Sequence, residues 1–97
     1  MIIYKRKRIE WSKAKNNQLV KNRLISFETV VTYISNENII KIIKHPNLNK
    51  YGHQKIFIIN IESYIYLVLY VEDAEKIFLK TIIPSRKYTK LLIKKIQ

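Results

Sequence analysis

The 97-residue chain has no cysteine, one glycine, two prolines and only seven acidic side chains. Without cysteine there is no disulfide scaffold and no thiolate metal site, which fits a reducing, cytoplasmic setting. One glycine leaves no glycine-rich phosphate loop and no nucleophile elbow. The seven carboxylates are neither grouped with the histidines nor spaced as ligands, so neither a metal nor any other cofactor is expected. Long apolar runs are missing too: the longest, Tyr64 to Val71, is less than half of what spans a bilayer. The opening MIIYKRKRIEW is basic without a following apolar stretch, unlike a secretory signal. A soluble protein with no membrane partner is the expectation.

What is present is positive charge and aliphatic bulk. The formal net charge is +12 and the apolar fraction 47%, enough for a single folded domain over residues 1–97. The charge is segregated. Residues 1–25 carry eight basic groups against Glu10 alone, and residues 84–97 carry Arg86, Lys87, Lys90, Lys94 and Lys95 with no acid. Four of the seven acids, Glu62, Glu72, Asp73 and Glu75, lie together. A polyanion or an acidic protein is therefore the expected partner.

Ser12 caps an expected helix to Arg23, and Ser26 caps a second whose Phe27, Val30, Val31 and Ile34 share one face. Four strands are expected at 39–44, 56–61, 65–71 and 77–83, all rich in isoleucine, valine and aromatics. Short polar links at Glu62-Ser63 and at Asp73 to Lys76 imply hairpins. Pro84 ends the last strand, and Ser85 caps a final helix through Ile96. The expected fold class is α+β: two N-terminal helices, a four-stranded mainly antiparallel sheet and one C-terminal helix, with the helices packed on one sheet.

Both histidines, the glycine and one proline fall in a single loop, KHPNLNKYGHQK, at 44–55. Pro46 biases His45 away from helix, and Gly52 permits a left-handed turn before His53. The loop thus presents two near-neutral titrating groups with Tyr51, Lys50 and Lys55. A plain surface crossover is the alternative. At the other end of the chain, Arg86 and Lys87 sit at a strand-to-helix junction, where a guanidinium and helix-start donors can meet a phosphate.

Glu10-Trp11, Lys15-Asn16, Ser26-Phe27-Glu28, Ile82-Ile83, Arg86-Lys87 and Thr89 together resemble the pattern of the BrnT-type toxins of bacterial type II toxin–antitoxin pairs. His45 to Tyr51, Gln54 to Phe57, Val71-Glu72 and Phe78 to Lys87 are similar to a related toxin subgroup. The resemblance implies a RelE-like fold and an endoribonuclease that inhibits translation, acting on mRNA, free or on the ribosome. It also implies a small ribbon-helix-helix antitoxin, with operator DNA contacted only through the toxin–antitoxin complex. Where that family carries lysine-histidine-glycine, this chain has Asn22-Arg23-Leu24. The histidine role does not transfer there, and Arg23 supplies charge without titration near neutrality.

Metal-independent RNA cleavage needs a base for the 2′-OH, an acid for the leaving 5′-oxygen and cations for the phosphorane. His45, His53, Lys55, Arg86 and Lys87 supply such a set, provided the loop folds over the last-strand junction. Arg23, Lys50 and Lys90 add charge for RNA, and Tyr51 or Tyr88 can stack on an unpaired base. The alternative is a non-catalytic RNA- or ribosome-binding module using the same basic surface. A membrane-surface role for the final helix is a third reading, but Tyr88, Leu91, Leu92 and Ile96 are more simply core.

Overall fold

The structure, a computed structural model, describes residues 2–47, 50 and 52–93. Strands β1 (Ile3–Tyr4) and β2 (Lys7–Trp11) form a hairpin; α1 (Lys13–Arg23) and α2 (Phe27–Ser35) follow. Next come β3 (Ile39–Lys44), β4 (Lys55–Ile61), β5 (Tyr64–Glu72) and β6 (Lys76–Pro84). A short α3 (Arg86–Tyr88) runs on into a wider π-helical stretch, Thr89–Ile93. All six strands join one curled sheet in the order β1-β2-β6-β5-β4-β3; β2 and β6 are parallel and every other pair is antiparallel.

This corrects the expected fold class. The sheet is six-stranded and mixed, not four-stranded and antiparallel, and the RelE-like arrangement expected with it falls as well. The cause lies in residues 3–11. Their basic side chains mask the strand period, because β2 buries only Ile9 of its five residues. Its main partner is β6, near the other end of the chain, which no local pattern announces. The hairpin turn is equally disguised. Lys5 and Arg6 take φ of 50° and 67°, the left-handed pair that a two-residue turn needs and that Asn-Gly usually supplies. Glu62 and Ser63 repeat the device between β4 and β5, with φ of 52° and 65°.

The three serine caps explain where the helices begin. Ser12 Oγ accepts from Lys15 N at 3.2 Å, Ser26 Oγ from Thr29 N at 3.1 Å, and Ser85 Oγ from Tyr88 N at 3.2 Å. Helix α2 buries Phe27, Val30, Val31 and Ile34, the stripe its spacing implies. Helix α1 buries only Leu19 and Asn16. Asn16 is tied at both ends of its amide: Oδ1 accepts from Phe27 N at 2.7 Å and Nδ2 donates to Glu28 Oε1 at 2.6 Å. It thereby satisfies an amide at the start of α2 that no helical carbonyl can reach.

Helices lie on both faces of the sheet. On the first face, α1 and α2 cover Phe57, Ile59, Val68, Ile77, Leu79 and Ile82. On the second, Tyr88, Leu92 and Ile93 pack on Ile56, Ile58, Ile65 and Leu69. Strand β5 is thus buried from both sides. A bulge in β6 between Leu79 and Thr81 resets the alternation. This is why Ile77, Leu79 and Ile82 all reach the same core. Among the described residues, no helix is long and apolar enough to cross a membrane.

Candidate nucleic-acid interface

The histidine loop leaves β3 with its ladder intact, since His45 N donates to Gln54 O at 3.0 Å. Inside it, Asn47 N donates to His45 Nδ1 at 3.1 Å and Lys50 N donates to Asn47 Oδ1 at 3.1 Å. His45 is half-buried, while Lys50 and His53 are exposed; Tyr51 lies outside the described residues.

Lys55 opens β4 and is committed elsewhere. Its Nζ lies 2.7 Å from Glu72 Oε1, and Lys7 Nζ lies 2.9 Å from Oε2, so one carboxylate ties the N-terminal hairpin to β4 and β5. Hydrogen bonding from Lys55 first, and from Lys7 second, holds the Glu72 carboxyl below the usual carboxylate range. A depressed folded-state pKa contributes stability that is present above the unfolded value, near 4.5, and is lost as pH falls through the folded one. Glu72→Gln is therefore expected to lower stability at pH 7 and flatten its decline in acid, measured by urea unfolding between pH 7 and pH 3. An unchanged acid profile would show that the bridge adds nothing.

Arg86 and Lys87 stand at the far end of the sheet from this loop. Lys55 is opposite Tyr70 on β5, whereas Pro84 is opposite Tyr66. At roughly 3.4 Å per residue, these four steps separate the two ends by about 14 Å. The structure therefore does not bring His45, His53 and Lys55 together with Arg86 and Lys87. Arg86, Lys87 and Lys90 are exposed, and Tyr88 is partly buried against the second core, with its ring in packing rather than on offer for stacking. The junction itself is well anchored. Ser85 N donates to Ile65 O at 2.9 Å, and Ile65 N donates to Thr89 Oγ1 at 2.8 Å.

Arg23, by contrast, joins the Arg86 end. Its Nη1 donates to the carbonyl of Ile82, beyond Leu79, the last β6 residue that β2 pairs. Next to it Leu24 caps α1 in a left-handed conformation, φ 55°, and is 89% exposed. Beside these residues runs a groove of about 440 Å³, lined by Leu24, Tyr33, Ile61, Glu62, Tyr64 and Tyr66 among others. Tyr64 and Tyr66 are two apart on β5 and so share a face, with ring centroids 5.7 Å apart. Tyr66 faces Pro84 across the ladder, so Arg86 stands at the same end of the sheet as this groove, at the start of the helix that packs on the opposite face.

Sequence reasoning missed the groove because Ile65 to Val71, apolar at nearly every position, reads as a central strand covered on both faces. The signal was there in part: tyrosines at 33, 64 and 66 are amphipathic, and two stand at strand period next to a turn. Among the described residues no group of three or more His, Cys, Asp or Glu side chains is placed to hold a metal ion. No family model, curated protein or solved structure matches the chain.

Proposed function

We propose that this protein binds single-stranded RNA in the tyrosine groove and acts in the cytoplasm as the RNA-cleaving toxin of a type II toxin–antitoxin pair. The observation that carries the reading is the groove: three tyrosines on its walls, with Arg23 and Arg86 at the same end of the sheet. Unstacked bases have an exposed π-face that tyrosines accept without regard to sequence, and guanidinium groups take the phosphates between them. A duplex, whose bases are already stacked, gains little from such a wall.

The toxin part of the reading is supported by the BrnT-type resemblance and by one point of geometry. Where that family's pattern has glycine, Leu24 adopts the left-handed cap that glycine serves best. The partner this reading implies is a small acidic ribbon-helix-helix antitoxin, drawn in by the +12 charge. Its association rate is expected to fall steeply as salt rises to physiological strength, measured by stopped-flow mixing. A salt-independent rate would direct the charge at RNA alone.

A second reading, RNA binding without cleavage, is favoured by the separation of Lys55 and the histidines from Arg86. One experiment decides between them. Single-stranded RNA is incubated with the protein, with and without ribosomes, and binding and chain length are followed in the same samples. Binding with cleavage supports the toxin, and binding without it supports the module. No binding at low salt overturns both.

A further inference from the structure

A second cleft, of about 200 Å³, lies at the other end of the sheet, where the N-terminal hairpin meets β3, β4 and β5. Tyr4, Ile42 and Tyr70 form part of its wall. Lys5, Lys7 and Lys55 also line it, against one carboxylate, Glu72, a local excess of two positive charges. Bridging Glu72 takes one donor each from Lys7 and Lys55, and an ammonium has three. Lys5 projects from the exposed hairpin turn and reaches over the Tyr4 ring, 5.5 Å from its centroid. The apolar wall is not sealed: Ile42 is 42% exposed and Tyr4 half-buried.

We propose that this cleft binds a phosphate monoester, with the phosphate held among Lys5, Lys7 and Lys55 and the group it esterifies lying on Tyr4 and Ile42. A monoester carries a charge of about −1.5 to −2 at neutral pH, matching the local excess, whereas an internal phosphodiester carries only one charge. Glu72 has a structural part in this. By pinning Lys7 and Lys55 it fixes two ammonium groups before any ligand arrives, which reduces the ordering that binding must impose. The chemistry is shared by a free nucleotide and by the phosphorylated end of an RNA chain. The RNA source rests on the reading proposed above; the nucleotide source does not.

The test is an NMR titration of the full chain with inorganic phosphate, AMP, and one single-stranded RNA bearing either a 5′-phosphate or a 5′-hydroxyl. Inorganic phosphate and AMP are expected to shift the amides of Lys7, Lys55 and Tyr70. The phosphorylated RNA is expected to bind about tenfold more tightly than its hydroxyl form, the worth of one or two partly exposed charge-assisted contacts. Lys5→Gly, which suits the left-handed backbone at that turn, and Lys55→Met should each reduce that preference; exposed Lys80→Met should not. AMP binding as tight as the phosphorylated RNA identifies a free nucleotide as the ligand, and much weaker AMP binding identifies the RNA end. The proposal is overturned if no monoester shifts these amides and both RNAs bind equally. Shifts at Tyr64 and Tyr66 report groove binding separately, so failure of the RNA reading is distinguishable from failure of the cleft.

Discussion

Replacing Arg23 and Arg86 together by alanine is expected to weaken single-stranded RNA binding about a hundredfold, with the fold retained. Each guanidinium on a phosphate makes charge-assisted hydrogen bonds worth about 1.5–3 kcal/mol, so the two together reach this loss even when they add imperfectly. Both side chains are exposed. Arg23 does hold the Ile82 carbonyl, and its loss is expected to cost about 1 kcal/mol of stability. Arg23→Lys separates the two roles: it keeps the charge but loses the planar fork, so affinity should fall only in part. Titration across a salt series gives an independent measure. Each single-strand phosphate contact contributes about 0.7 to the slope of log affinity against log salt, so the double variant should lose about 1.4. Under the toxin reading, the same variant should no longer arrest growth when expressed. A loss below about threefold with an unchanged slope would remove these arginines from the interface.

The local signals in the sequence were those with short-range causes. Ser12, Ser26 and Ser85 mark helix starts because a side-chain oxygen three residues ahead of an orphan amide is a local event. The apolar stripe of α2 and the isoleucine-rich runs of β3 to β6 are likewise written within a few residues. What stayed hidden depends on distant partners. Strand β2 has a half-exposed, charged composition, and most of its pairing is with β6, near the other end of the chain. The two left-handed turns use Lys-Arg and Glu-Ser in a chain that has almost no glycine. Residue types that suit RNA chemistry were legible, but their grouping was not. Lys55 reads as a loop cation and is in fact half of a bridge to Glu72, whereas Arg23 reads as an isolated helix-end charge and joins the Arg86 end through Ile82.

Phe57 links the N-terminal hairpin to β5 through ring contacts, and Phe57→Ala is expected to destabilise the protein by about 3–5 kcal/mol. The side chain is 1% exposed. Its ring stacks on Tyr70 at 4.0 Å and 11°, and meets Tyr4 edge-on at 6.2 Å and 88°. Truncation therefore loosens one ring on the central strand and one on the hairpin, besides leaving a cavity in the larger core. Against a usual total of about 5–15 kcal/mol this is a large fraction, visible as a fall in melting temperature of well over 10 °C. Phe57→Leu keeps most of the volume and should cost about 1.5 kcal/mol or less. A second readout is the Tyr70 hydroxyl. Burial raises its pKa above the usual value near 10, with lesser contributions from Glu72 and Tyr4. A raised folded-state pKa gives stability that is complete below the unfolded value and is lost as pH rises past it. Opening the core beside the ring lets water approach, so Tyr70 should ionise at lower pH in Phe57→Ala, followed by ultraviolet absorbance. Its alkaline loss of stability should shrink in step. If truncation costs less than about 1 kcal/mol and leaves the tyrosine titration unmoved, the hairpin is held by β2 pairing with β6 and not by the aromatic stack.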